Sequence, residues 1–338
     1  SELTHQAALE IGQGFGTEVI RTGGSLVCVG YDGRLSSPAL RDHLIEGLLS
    51  TGCEVIDIGV GPTPLLYFAS YELETDGAIM ITGSHNGPDV NGFKMMLHKR
   101  PFCGKDIQRM AQELTQKAFL QRQGTLSTAD RNPAYLEFLQ MDYLGHYPSK
   151  NDFKVAWDPG NGAAAEIITR LIPHLPGSHI LINGTIDGTF PNHHPDPTVP
   201  ANMQQLIDLV KSEGCTMGIA FDGDGDRIGA VTSTGEILYG EHLLEIFAAE
   251  VLKSHPKSPI VADVKTSTRF FQKVKDLGGT PVMWNTGHSL IKEKMRELKS
   301  PLGGEMSGHI FFSDRYHGFD DAIYAALRLL GICSIDKL

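Results

Sequence analysis

The sequence has few cysteines, and none of the spacings that usually give them a structural role. Five cysteines are scattered through 338 residues, and no Cys-x-x-Cys pair occurs. An odd, scattered set does not fit a disulfide scaffold or a cysteine zinc site. It favours buried free thiols in a reducing compartment. We therefore expect a cytoplasmic protein.

Long apolar runs and basic clusters are also missing. No stretch approaches the roughly 20 apolar residues that span a bilayer, and no charged leader with an apolar segment opens the sequence. The formal net charge is −11, and no run of lysine and arginine with interleaved aromatics occurs. These absences argue against a membrane protein and against a nucleic-acid binder, which needs a basic surface. A local cluster of cations would still allow phosphate ligands.

Two common catalytic motifs are absent as well. No Gly-Lys-Ser or Gly-Lys-Thr occurs, which excludes a Walker A loop. Ser84 follows an apolar run but is not a nucleophile elbow, because Thr82 and Asn86 occupy the glycine positions of that motif. A Ser-His-Asp triad stays open, although His85 would point away from Ser84 in an extended chain.

Three short β-rich runs each break into a polar loop and are followed by apolar residues at helical spacing. They are residues 26–29, 153–157 and 259–262. This repeated unit predicts three successive similar α/β domains with mixed or parallel sheets. Polar, turn-rich segments at 127–133 and 232–240 suggest the boundaries, which gives domains 1–133, 134–237 and 238–338.

The segment DGDGDR, at 222–227, carries three aspartates separated by single glycines. Those glycines would let the backbone curl until the carboxylates of Asp222, Asp224 and Asp226 converge. Converging carboxylates repel unless a hard cation lies among them, and oxygen ligands suit Mg²⁺, Mn²⁺ or Ca²⁺. An EF-hand does not fit, because its sixth and twelfth positions are arginine and serine here. The alternative is an acidic surface turn, with Arg227 as a counter-ion instead of a phosphate partner.

The segment GEMSGH, at 304–309, places Glu305, Ser307 and His309 at alternate positions before an apolar run. In an extended chain this alternation puts all three on one face. A carboxylate, a hydroxyl and an imidazole there could bind sugar hydroxyls, and the alternative is a polar edge turn. His288, in the turn WNTGHS, is by itself more typical of a structural histidine.

Together these segments resemble the α-D-phosphohexomutase superfamily, most closely its bacterial phosphomannomutase/phosphoglucomutase family. The resemblance rests on TGSHNGPDVNGFK, DGDGDR and GEMSGH in this order, supported by GPTP, DPGNGAA and NTGHSLIK. It implies an isomerase whose similar domains surround a central cleft. The implied reaction interconverts hexose 1-phosphate and hexose 6-phosphate, of mannose or glucose, through a phosphoserine and a hexose 1,6-bisphosphate.

The resemblance also implies roles for individual residues. Ser84 would carry the phosphoryl group, and Lys94 and His309 would transfer protons. The cofactor would be Mg²⁺, held by Ser84 as phosphoserine, Asp222, Asp224 and Asp226. Substrate contacts would come from Arg227, Lys265, His288, Glu305, Ser307 and His309.

Two features of the family are not found in the sequence. These are the phosphate-binding loop of a fourth domain and an N-terminal segment with a phosphate-binding arginine. We therefore expect a chain trimmed at both ends, with weak or no mutase activity. The alternatives are a non-catalytic Mg²⁺-dependent sugar-phosphate-binding fragment and a metal-dependent serine phosphohydrolase. The sequence favours neither mannose nor glucose, and it carries no signal of oligomeric state.

Overall fold

The computed structural model describes residues 3–116, 118–147 and 153–335. Its helices are α1 His5–Arg21, α2 Ser37–Ser50, α3 Thr63–Glu72, α4 Lys105–Gln116, α5 Asn132–His146, α6 Ala165–Leu171, α7 Gln204–Glu213, α8 Gly240–Ser254, α9 Thr268–Asp276, α10 His288–Leu298 and α11 Ala322–Ile335. Short 3₁₀ turns cover Ile172–His174 and Pro200–Met203. Among the residues described, no helix is both long and apolar enough to cross a bilayer.

The strands are short, and most coincide with apolar runs. They are β1 Leu26–Tyr31, β2 Glu54–Val60, β3 Gly77–Ile81, β4 Phe93–Leu97, β5 Arg100–Pro101, β6 Thr125–Thr128, β7 Lys154–Asp158, β8 Ser178–Leu181, β9 Met217–Phe221, β10 Ile228–Thr232, β11 Ile237–Leu238, β12 Pro259–Asp263, β13 Thr280–Trp284, β14 Leu302–Gly304 and β15 Ile310–Phe312. The three runs that the sequence analysis singled out are β1, β7 and β12, so their assignment as strands is confirmed.

The described residues form two compact units, one reaching to Tyr135 and including Asp187–Thr189, and one containing the remainder. The first unit has a six-stranded sheet in the order β5-β4-β3-β1-β2-β6. Strands β3, β1, β2 and β6 run parallel, β4 is antiparallel to β3, and β5 is antiparallel to β4. Because β1 and β3 are parallel neighbours, with Tyr31 opposite Ile81, the loops that follow them start side by side.

Helices cover this sheet with apolar side chains. Phe15 and Val19 of α1, and Leu44 and Leu48 of α2, are fully buried in one core with strand residues such as Val27. Burying a side chain of this kind contributes roughly 1.5–3 kcal/mol. The core therefore fixes the strands that carry the polar loops.

The second unit contains two sheets. A five-stranded sheet has the order β11-β10-β9-β7-β8, and a four-stranded sheet has the order β13-β12-β14-β15. Each combines parallel central strands with an antiparallel hairpin, formed by β9 and β10 in the first sheet and by β14 and β15 in the second. The α/β class with mixed sheets is therefore confirmed. The boundaries at 133/134 and 237/238, and the central cleft, stay predictions.

Candidate active site

Ser84 lies three residues beyond the end of β3, on a backbone that turns sharply. Its φ angle is +52°, in the left-handed region that a residue with a side chain seldom adopts. The Thr82 hydroxyl accepts a hydrogen bond from the Ser84 N–H at 2.8 Å. The Asn86 backbone and side-chain amides both donate to the Gly83 carbonyl at 2.9 Å. Because of this turn, His85 Nδ1 lies 3.4 Å from Ser84 Oγ, so the expectation that it points away is wrong.

Two residues that the sequence analysis did not assign hold this turn. Arg34, from the loop after β1, donates to the carbonyls of Ser84 at 2.8 Å and Asn86 at 2.6 Å. Its guanidinium also pairs with Asp32, and both side chains are buried. The available signal was the Asp-Gly-Arg sequence directly after a strand, because charged residues at a strand end often belong to a site.

Lys94 lies on β4, opposite Met80 of β3, and is half-buried. It is therefore on the strand that returns along β3. Lys265 follows β12 and is exposed. Their predicted functions remain predictions.

The three aspartates form the turn between β9 and β10 and are completely buried. One oxygen from each lies within 4.8 Å of the others, which is a group that could hold a metal ion. The N–H groups of Asp226 and Arg227 both donate to Asp222 Oδ1 at 3.1 Å, which fixes the turn. A donor set of three buried carboxylates fits a hard divalent cation such as Mg²⁺. An acidic surface turn does not fit, because these carboxylates are not on the surface.

Glu305, Ser307 and His309 occupy the turn between β14 and β15, not a strand. The Glu305 N–H donates to the His309 carbonyl at 2.9 Å, and Gly308 has a φ angle of +94°. The prediction that strand alternation gathers the three side chains is therefore wrong, although they do meet. His309 Nδ1 lies 2.9 Å from Glu305 Oε2 and 3.1 Å from Ser307 Oγ.

His309 joins this turn to the turn between β9 and β10, residues 222–227, which we call the aspartate loop. Its backbone bridges to Arg227, and its Nε2 lies 3.2 Å from Asp226 Oδ1. Burial by itself would lower the pKa of His309, but the charge of Asp226 and hydrogen bonds to Asp226 and Glu305 outweigh it and raise the pKa to about 9. Arg227 Nε also lies 3.3 Å from His309 Nε2. A protonated Nε2 donates to Asp226 and cannot accept a hydrogen bond from Arg227. The raised pKa of His309 favours this protonated form. A cation bound by Asp226 would oppose this shift.

His288 begins α10 beside the same histidine, with ring centroids 5.4 Å apart. Its Nδ1 lies 3.0 Å from Asp320 Oδ2, and Lys292 pairs with the other oxygen of Asp320 at 2.7 Å. Burial and the charge of Lys292 lower the pKa of His288. A neutral ring that donates to Asp320 leaves Nε2 as a hydrogen-bond acceptor. Asp320 and Lys292 were not assigned from the sequence.

The geometry agrees with the comparison to known families. The sequence models "Phosphoglucomutase/phosphomannomutase, alpha/beta/alpha domain" I, II and III match residues 1–121, 133–235 and 239–337 in turn. This chain belongs to the phosphoglucomutase/phosphomannomutase family.

Individual members of the family match almost the whole chain. A phosphomannomutase/phosphoglucomutase of Pseudomonas aeruginosa is 45% identical over 335 residues, which are 99% of this chain and 72% of that protein. A phosphoglucomutase of Neisseria gonorrhoeae is 40% identical over 98% of this chain and 72% of its own length. The crystal structure of a phosphoglucomutase/phosphomannomutase family protein from Burkholderia thailandensis superposes with a TM-score of 0.94 at 42% identity. That comparison covers 99% of this chain and 74% of the other.

Proposed function

We propose that this chain performs the reaction of its family, the reversible transfer of a phosphoryl group between hexose 1-phosphate and hexose 6-phosphate, with the weak turnover that its sequence leads us to expect. One observation carries the proposal. His309 contacts Asp226, one of three buried carboxylates, and also contacts Glu305 and Ser307 of the Glu305–His309 turn. One group suits a cation that binds phosphate, and the other suits sugar hydroxyls. A sugar phosphate is the class of molecule that needs both.

Ser84 is proposed as the phosphoryl carrier. Its hydroxyl is half-buried at a strand end, on a backbone that hydrogen bonds hold in place. In the first step the bond between Ser84 Oγ and phosphorus breaks while a sugar hydroxyl oxygen binds the phosphorus. The product is a hexose 1,6-bisphosphate, whose other phosphoryl group then returns to Ser84.

Proton transfer must accompany each step, because the attacking hydroxyl loses its proton. We assign this work to Lys94 and His309. Glu305 and Ser307 would accept and donate hydrogen bonds to sugar hydroxyls. Lys265, His288 and Arg227 would contact the substrate, Arg227 at the phosphate.

Mg²⁺ is the proposed cofactor, held by Asp222, Asp224, Asp226 and an oxygen of phosphorylated Ser84. When bound, it would withdraw negative charge from the transferring phosphoryl group. The carboxylate donor set supports a hard cation and does not by itself select Mg²⁺ over Mn²⁺.

The test is turnover of glucose 1-phosphate and mannose 1-phosphate by the wild-type protein and by Ser84→Ala. We expect Ser84→Ala to lower kcat by a factor on the order of 10⁴ or more, because the covalent route is lost. Ser127→Ala, which alters an exposed serine of β6, is the matched control. Intact mass should show one phosphate on the wild type after exposure to glucose 1,6-bisphosphate and none on Ser84→Ala. Undiminished turnover by Ser84→Ala would exclude the phosphoserine.

Two other functions give different results in the same assay. A metal-dependent serine phosphohydrolase would release inorganic phosphate in proportion to sugar phosphate consumed. A sugar-phosphate-binding fragment would bind Mg²⁺ and substrate without converting it. We expect isomerised sugar and little free phosphate.

The remaining expectations concern setting and partners. A cytoplasmic location stays a prediction, supported by the odd number and scattered spacing of the five cysteines. Hexose phosphates and hexose 1,6-bisphosphate are the proposed small-molecule partners. The expectation that no nucleic acid binds rests on the acidic net charge of −11.

A further inference from the structure

We propose that Arg34 and Asp32 are positioning residues that set the backbone conformation from which Ser84 reacts. The inference rests on the proposed role of Ser84 as the phosphoryl carrier. The pair acts through peptide groups on either side of Ser84 and not through the transferred phosphate.

Arg34 holds the chain after Ser84. One nitrogen, Nη2, donates to the carbonyls of Ser84 at 2.8 Å and Asn86 at 2.6 Å, and Nε reaches the Gly87 carbonyl at 3.4 Å. The planar guanidinium has five donors in a fixed fork, so it can bind several carbonyls and a carboxylate together. The Arg34 side chain is 0% exposed, which removes the competition of water for these donors.

Asp32 holds the chain before Ser84. Its Oδ2 accepts the Gly83 N–H at 3.3 Å and pairs with Arg34 Nη1. Its Oδ1 accepts the Ser37 hydroxyl at 2.7 Å and the Arg34 N–H at 3.1 Å. One buried ion pair therefore binds the peptide groups on both sides of the serine.

This arrangement explains how Ser84 keeps its unusual backbone. A non-glycine residue at a φ angle of +52° carries backbone strain. Strain of this kind persists only where surrounding contacts determine the conformation. Without the ion pair, the loop would relax toward ordinary φ values and the Ser84 hydroxyl would change direction.

A substitution at Gly188 is an independent way to disturb the Arg34–Asp32 ion pair. In the first compact unit this residue packs on the turn that carries Arg34. A Cβ at Gly188 would lie 2.3 Å from the Gly33 carbonyl oxygen and 2.7 Å from Arg34 Cα. Both are backbone atoms, so Gly188→Ala must displace the turn without changing any charge.

The test must separate positioning from stability. Removing Arg34 alone leaves a buried, uncompensated Asp32, which strongly destabilises the fold. The double variant Asp32→Asn with Arg34→Met leaves no unpaired charge. Arg34→Lys keeps the charge but lacks the fork. The control is Arg41→Met, which breaks another ion pair of this unit, between Arg41 of α2 and Asp57 of β2 at 2.5 Å, and leaves the Ser84 loop (residues 82–87) unchanged in sequence.

Three quantities should be measured on each variant. They are the unfolding temperature, kcat and KM for glucose 1-phosphate, and the rate at which glucose 1,6-bisphosphate phosphorylates Ser84, followed by intact mass. We expect the double variant and Gly188→Ala to lower kcat and the phosphorylation rate about 100-fold, as a displacement near 1 Å can do. KM should not change, because the proposed sugar contacts come from other loops. Arg34→Lys should have a kcat between those of the wild type and the double variant. Arg41→Met should keep the wild-type kcat.

The outcomes separate this inference from the proposed function. Wild-type kcat in the folded double variant, or in Arg34→Lys if the double variant does not fold, overturns the positioning role. A fall in unfolding temperature without a fall in kcat per folded molecule overturns it as well. A wild-type protein that neither isomerises sugar phosphates nor accepts phosphate at Ser84 refutes the proposed function itself, whatever the Arg34 variants do.

Discussion

Asp32 and Asp158 occupy equivalent places in two different sheets, yet they hold their surroundings in different ways. Asp32 directly follows β1, and Asp158 is the last residue of β7. Each is 1% exposed, and each accepts a backbone N–H from two residues further on, Arg34 at 3.1 Å and Gly160 at 2.9 Å. The first turn of both loops is therefore built in the same way.

The partners of the two carboxylates differ. Asp32 pairs with an arginine and binds the Ser84 loop directly through the Gly83 N–H. Asp158 pairs with His193 at 2.9 Å and accepts from the Asn183 amide at 2.9 Å.

The aspartate loop is held next to Asp158 by main-chain bonds. The Ala163 N–H donates to the Gly223 carbonyl at 2.8 Å, and the Gly223 N–H donates to the Pro195 carbonyl at 3.1 Å. No ionised side chain takes part in these two contacts.

The difference follows from the charge that each loop carries. The Ser84 loop is built from neutral peptide groups, so a buried ion pair can bind it without repulsion. The aspartate loop already brings three carboxylates together. A further carboxylate about 4 Å away adds roughly 4 kcal/mol of repulsion per like-charged neighbour at an effective dielectric constant near 20, unless a cation offsets it. Asp320, which offers an oxygen within 4.8 Å of Asp226, is paired with Lys292, whereas the contacts between the aspartate loop and the loop after β7 are neutral.

The largest effect that tests this contrast is expected from Asp224→Ala. Loss of one of three converging carboxylates should abolish Mg²⁺ binding measured by calorimetry. It should also lower kcat more than about 100-fold, since even outer-shell partners of a metal contribute 10–100-fold. Asp208→Ala, an exposed aspartate on α7, is the control and should bind Mg²⁺ normally. Retained affinity in Asp224→Ala would mean that the buried carboxylates serve only the fold.

A second, smaller effect is expected from adding one methyl group to either loop. At Gly83 a Cβ would lie 2.2 Å from the Val90 carbonyl oxygen and 2.7 Å from Arg34 Nε, so Gly83→Ala must move the Ser84 loop. We expect kcat and Ser84 phosphorylation to fall about 10- to 100-fold, while the Mg²⁺ affinity of the unphosphorylated protein stays unchanged. Gly87→Ala is the matched control, because a Cβ there would meet nothing within 4 Å.

The corresponding change in the second unit is Gly162→Ala, where a Cβ would lie 2.7 Å from the Gly223 carbonyl oxygen. This variant should weaken Mg²⁺ binding and leave phosphate on Ser84 as stable as in the wild type. Calorimetry and intact mass on both variants distinguish the two loops. Loss of both Mg²⁺ binding and Ser84 phosphorylation in Gly83→Ala and also in Gly162→Ala would show that the two loops do not depend on separate contacts.

The sequence predicted the carboxylates of the aspartate loop and the group of Glu305, Ser307 and His309, because each set of side chains lies within a few consecutive residues. It did not assign Arg34, whose partners are backbone carbonyls some 50 residues further along the chain. Every residue has a backbone carbonyl, so residue types do not reveal such a contact. Predicting it requires knowledge of the strand order. The sequence also misjudged the shape around Glu305, because alternation suggested a strand where Gly308 allows a tight turn. The chemically active side chains could thus be predicted from the sequence more accurately than the main-chain geometry that positions them.

The smallest effect concerns pH and separates the two aspartates by their partners. Asp32 is paired with a guanidinium, whereas Asp158 is paired with an imidazole, the side chain that titrates near neutral pH. His193 Nδ1 faces the His194 carbonyl at 3.0 Å and its Nε2 faces Asp158, so both nitrogens must donate. Burial by itself would lower the pKa of His193, but the bond to Asp158 outweighs it and raises the pKa above 6.5.

A raised pKa in the folded state stabilises the protein fully below the unfolded value of 6.5, and this contribution disappears as pH rises through the folded value. His193→Gln should therefore cost about 1–2 kcal/mol at pH 5.5 and less at pH 9, measured as the shift in unfolding temperature by calorimetry. His194→Gln, at the exposed neighbouring position, is the matched control. Equal shifts at both pH values would mean that Asp158 is held by its neutral partners, as the aspartate loop beside it is.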